Sequence, residues 1–60
     1  MTVLVENRRD RATGLAVGMS DNYIKALFEA QEIPSNQFVR LHLSQAREEV
    51  VFGEALDHVH

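Results

Sequence analysis

"GMSDNYIKALFEAQ", residues 18–31, can fold in two ways, and the choice decides the architecture. At helical spacing Tyr23, Leu27 and Ala30 share a face and Ser20 or Asp21 caps the start, as in a helix that reads a DNA groove. Under alternation Ile24, Ala26, Phe28 and Ala30 point one way while Tyr23, Lys25, Leu27 and Glu29 point the other, as in a strand. The flanking residues favour the strand. Gly14 and Gly18 each weaken a helix by about 1 kcal/mol relative to alanine. Pro34, with Ser35 and Asn36, stops any helix that would run beyond residue 31.

Working outward, "TVLVEN" (2–7) places Val3 and Val5 on one face and Leu4 on the other before entering the charged "RRDRATG" (8–14). "GLAVGMSDN" (14–22) reads as a second strand, bent or bulged near Gly18, that runs into a turn made by side chains able to bond their own backbone. A third strand spans 23–30, and a loop spans 31–37. "FVRLHLS" (38–44) alternates cleanly, with Val39, Leu41 and Leu43 expected inward and Arg40 and His42 outward. "VVFGEAL" (50–56) is a fifth strand, Glu48 and Glu49 fall in the turn before it, and "DHVH" (57–60) is a tail. Phe28 belongs to the core phase, whereas Phe38 and Phe52 fall out of phase with Val39 and Val51, and the spacing leaves their side open. Five short strands with closely spaced turns predict an all-β barrel or sandwich.

Sixty residues allow one domain, and a chain of that size buries only about 60% of its unfolded surface. The composition, 45% hydrophobic and 25% charged, is that of a globular protein. With no cysteine, the chain cannot supply thiolate ligands, thiol nucleophiles or cluster ligands. Its longest early apolar run, 3–5, is too short for a membrane span or signal core, which makes the cytoplasm the expected location. The net charge is −3; residues 1–30 hold four basic and four acidic side chains, residues 31–60 two and five. Arg8, Arg9 and Arg11 are therefore the one concentration of positive charge.

The blocks "VLVEN", "TGLAVGMSDNYIKALFEA", "NQFVRLHLSQA" and "VFGEAL" resemble, in that order and over nearly the whole chain, those of the TRAM domain. The resemblance implies a small five-stranded antiparallel, OB-like barrel spanning 1–60. It also implies origin as the C-terminal module of a radical-SAM methylthiotransferase that modifies adenosine beside the tRNA anticodon, and "SDNYIKALFE" is most similar to the threonylcarbamoyl-adenosine branch. The implied partners are tRNA and the catalytic domains of the parent enzyme, with the module a monomer. The parent's iron-sulfur clusters and S-adenosylmethionine would lie in those domains, because this chain has no cysteine to hold a cluster. The chain is then a non-catalytic piece excised from a larger enzyme. Where the family places a glycine before its fourth strand this chain has Asn36, the next most tolerant residue at positive φ.

The expected RNA-binding residues are Arg8, Arg9, Arg11, Asn22, Tyr23, Lys25 and Arg40. The arginines, grouped at a hairpin tip, match phosphate in fork geometry. Three phosphate contacts would add about 2 to the slope of log affinity against log salt, and a polar tip should tolerate their removal without unfolding. Lys25 and Arg40 on the middle strands would extend a basic track. Tyr23 either stacks a base or packs on the barrel end with its hydroxyl on a loop carbonyl, and Asn22 shapes the turn or also reads a base edge. The acidic second half predicts weak intrinsic affinity. His58 and His60 share a strand face but lack the further ligands a metal requires. Two rival readings are a helix-turn-helix DNA binder built on 18–35, and a module that packs on its own enzyme or on a ribosomal-protein substrate.

Overall fold

A computed structural model describes residues 1–56. They form β1 (Thr2–Arg9), β2 (Ala16–Met19), β3 (Lys25–Phe28), β4 (Phe38–Arg47) and β5 (Val50–Ala55). No helix occurs among the described residues. The segment that could have been a recognition helix is β2, a tight turn and β3, which overturns the helix-turn-helix reading. Alternation wins because it sends Ala16, Ala26 and Phe28 into one core while the backbone pairs on both sides. The third strand is shorter than the expected 23–30, starting only at Lys25.

All five strands belong to one sheet whose hydrogen-bonded order is β1-β2-β3-β5-β4, and β4 pairs in turn with β1. Four of the pairings are antiparallel, but β3 and β5 run parallel, with Lys25 opposite Val50 and Phe28 opposite Gly53. The expectation of a wholly antiparallel sheet is corrected at that pair. The long β4 carries the chain back past β3, so β5 starts level with the beginning of β3. Phe38 faces Leu4, Leu4 faces Met19, Met19 faces Lys25, Lys25 faces Val50, and Val50 faces Arg47. This row leaves β4 at Phe38 and rejoins it at Arg47, a stagger of the kind tilted strands show around a curved sheet.

Val3, Val5, Ala16, Ala26, Phe28, Val39 and Leu41 make the core, with Ala30, Ile33, Val51 and Ala55 packed against it. Phe28 and Leu41 are its largest fully buried side chains. Val17 and Leu27 are also buried, on the other phase of β2 and β3, where they face each other and Leu27 faces Phe52. Leu43, expected inward, is 41% exposed. Pairing of β4 with β1 reaches Arg40 and the Met1 backbone adds bonds to Leu41, beyond which β5 is its sole neighbour, and the register slips between Leu43 and Gln45. Residues 42–47 consequently face solvent whatever their phase.

The bend expected at Gly18 lies instead in β1. Val5 faces Gly18 and Arg9 faces Ala16, so β1 spends two more residues than β2 over the same span. Gly18 serves a different purpose: a Cβ there would run into Val3 Cγ2 and stand 2.8 Å from Val3 Cβ, inside the core. Gly18→Ala should therefore cost about 1–3 kcal/mol by overpacking, read as a lowered melting temperature. An unchanged melting temperature would show that Val3 has room to move.

Candidate nucleic-acid interface

The turn from β2 to β3 is built on Ser20. Its carbonyl accepts the Tyr23 N–H at 3.0 Å and its own N–H donates to Ile24 O at 3.0 Å. Its buried hydroxyl accepts the Ile24 N–H at 3.0 Å and donates to Asn22 Oδ1 at 2.7 Å. Asn22 thus shapes the turn. These bonds close a three-residue hairpin loop whose last position is left-handed, the place that usually falls to glycine. Here it is Tyr23, with φ 65°, a conformation that costs a non-glycine residue roughly 1–2 kcal/mol. Its ring is 84% exposed, so packing on the end of the sheet is not its role.

Beside that turn runs an open groove lined by Leu4, Met19, Tyr23 and Phe38, with Glu6 and Asp21 among its polar residues. Phe38 is 74% exposed and Leu4 42%. Register explains the grouping, because Phe38, Leu4 and Met19 are successive cross-strand neighbours on the outer face and Tyr23 follows β2 a few residues later. Asn36, also on the groove, has φ 62° and donates its N–H to Val5 O at 2.9 Å, so asparagine does take the left-handed position expected of it. Sequence reasoning singled out Tyr23 here but missed Phe38, Leu4, Met19 and Glu6 as groove residues. The available signal was phase, since Leu4 alternates with two inward valines and Phe38 precedes inward Val39.

The three arginines do not share one environment. Arg8 and Arg9 end β1, and only Arg11 lies in the turn that follows. Arg8 Nε donates to Glu6 Oε1 at 2.7 Å. Arg9 donates to the carbonyls of Gly14 at 3.1 Å, Ala30 at 2.9 Å and Gln31 at 2.8 Å, tying the β1–β2 connection to the segment after β3. The expectation that all three can be removed without touching the fold is thereby corrected at Arg9. Arg9→Ala should lower stability by about 1 kcal/mol while Arg11→Ala leaves the melting temperature unchanged, and equal melts for the two would refute the clamp.

Lys25 and Arg40 are not cross-strand neighbours, because β5 lies between their strands on one side and β1 and β2 on the other. Lys25 Nζ lies 3.6 Å from Asp10 Oδ1, and nearby Asp10, Glu48 and Glu49 line a second groove with Leu27, Arg47 and Phe52. The Thr13 hydroxyl holds the Asp10 carboxyl below its ordinary value of 3.8, helped by the Thr13 N–H and Lys25 and opposed by desolvation. A depressed folded-state pKa contributes stability that is present above the unfolded value and lost as pH falls through the folded one. Asp10→Asn should therefore flatten the loss of melting temperature on acidification below about pH 4; an acid limb identical to the parent's would contradict the assignment.

Among the described residues no group of three or more His, Cys, Asp or Glu side chains is placed to hold a metal, and no helix is long and apolar enough to cross a membrane. His58 and His60 lie outside the described residues. Comparison with family models, curated proteins and solved structures finds no match to this chain.

Proposed function

We propose that the chain is a TRAM-like, OB-like barrel that binds RNA through unpaired bases, and that it docks the anticodon region of tRNA for the catalytic domains of a methylthiotransferase. The observation that carries this reading is the pair of exposed rings, Tyr23 and Phe38, on one apolar groove. Water-exposed aromatic side chains on a small sheet are stacking platforms, and each base held this way contributes about 1–3 kcal/mol. The strained φ of Tyr23 supports a use for that ring, since a glycine would complete the same turn without strain. The module is a cytoplasmic monomer that supplies position. It raises the local concentration of the stem-loop near the parent's iron-sulfur clusters and S-adenosylmethionine, and does no chemistry itself.

Of the residues expected to meet phosphates, Lys25 is engaged by Asp10, Arg9 by three carbonyls and Arg8 by Glu6. Affinity therefore rests more on stacking than on charge, and its salt slope falls below the value of about 2 that three phosphate contacts would give. A second reading, docking of a basic protein, draws support from the groove bordered by Asp10, Glu48 and Glu49.

Fluorescence anisotropy with a labelled anticodon stem-loop tests the first reading. Tyr23→Ala and Phe38→Ala should each weaken binding by about 1–3 kcal/mol, or roughly 5- to 150-fold. Wild-type affinity in both variants would remove the reading.

A further inference from the structure

We infer that the groove between Tyr23 and Phe38 selects an unpaired guanine, whose Watson–Crick edge is received by the carboxylate of Asp21. The inference rests on the RNA-binding reading and names the base that this same site takes.

Electrostatics decides which part of a nucleotide enters. Among the described residues Glu6 and Asp21 are the only charged ones that line the groove, and no lysine or arginine does. A phosphate placed there would meet like charge, so the backbone stays outside and a neutral base goes in. Asp21, in the turn beside Tyr23, has capacity to spare: among the described residues it makes no hydrogen bond or ion pair, whereas Glu6 is paired with Arg8 Nε through Oε1 and lies further along β1.

Edge chemistry then decides among the bases. An ionised carboxylate only accepts hydrogen bonds, and its two oxygens suit two donors side by side. Guanine presents that pair, the N1 imide N–H beside the N2 amino group. Adenine and cytosine set an acceptor nitrogen next to their amino group, and uracil flanks its one N–H with two carbonyls. Each of these turns an acceptor toward the carboxylate, where lone pairs repel. Sequence-tolerant stacking on Tyr23 and Phe38 holds any base, and the Asp21 carboxylate adds the discrimination. Leu4, the cross-strand neighbour of both Phe38 and Met19, gives the groove an apolar floor on which a planar ring can lie beside the Phe38 face.

The test uses single-stranded RNA hexamers of uridine with one central guanosine, inosine, adenosine or uridine, titrated into the intact chain at fixed salt. Guanosine should bind about tenfold more tightly than adenosine or uridine. Inosine, which keeps N1–H and lacks the amino group, should fall between them. In the Asp21→Asn variant the four hexamers should converge on one affinity, with an unchanged melting curve certifying the fold. Equal affinities for all four hexamers in the parent chain would overturn guanine selection and leave RNA binding standing. A guanosine preference that survives in the Asp21→Asn variant would overturn the role of that carboxylate. Failure to bind any hexamer, together with binding of an arginine-rich peptide, would overturn the RNA-binding reading and this inference with it.

Discussion

Leu41→Ala should leave the domain largely unfolded, while Leu43→Ala, two residues along the same strand, should melt within a few degrees of the parent. Leu41 is 1% exposed inside the core and Leu43 is 41% exposed on the part of β4 that β1 does not reach. Truncating a buried leucine costs about 2–5 kcal/mol through lost burial and the cavity left behind. A 60-residue chain holds only about 3–9 kcal/mol at the usual stability per residue. The Leu41 variant thus loses most of what the fold has. Leu43 gives up only surface that water already touches. Thermal melts followed by circular dichroism separate the two, and equal destabilisation would mean that the hairpin end of β4 is packed against something in solution.

The phenylalanines supply the second large effect. Phe28 is 2% exposed and the largest buried side chain, so Phe28→Ala should cost about 3–5 kcal/mol and abolish cooperative unfolding. Phe38→Ala, at a residue 74% exposed, should change stability by less than about 0.5 kcal/mol and act on RNA binding instead. Loss of folding in the Phe38 variant would make that ring a structural element and take it out of the interface.

Alternation made the strands legible wherever a strand has one wet face and one dry face. Val3 and Val5 against Leu4, Val39 and Leu41 against Arg40, and Ala26 and Phe28 in one phase are all as the spacing predicts. The period says nothing about how far a neighbouring strand reaches, which is why Leu43 was placed inward although β1 pairing stops at Arg40. Nor does it show which strands become neighbours after a long connection, so the parallel contact of β3 with β5 and the separation of Lys25 from Arg40 had no local signal. Arg9 illustrates the same limit. Its sequence neighbours describe a charged tip, but its partners are carbonyls, two of them 21 and 22 residues away. Tyr23 was legible as an aromatic beside a turn, while its left-handed backbone depended on the exact register of the Ser20 bonds.

The central claim, that RNA is held by the aromatic groove, is tested most directly by mapping backbone amide shifts in a nitrogen-15 correlation spectrum. The uridine hexamer with a central guanosine is added stepwise. The account predicts that the largest changes cluster at Leu4, Glu6, Met19, Tyr23, Asn36 and Phe38, which share one groove. Changes confined to Arg8, Arg9 and Arg11, or to Asp10, Glu48 and Val50, with the groove amides unmoved, would contradict it.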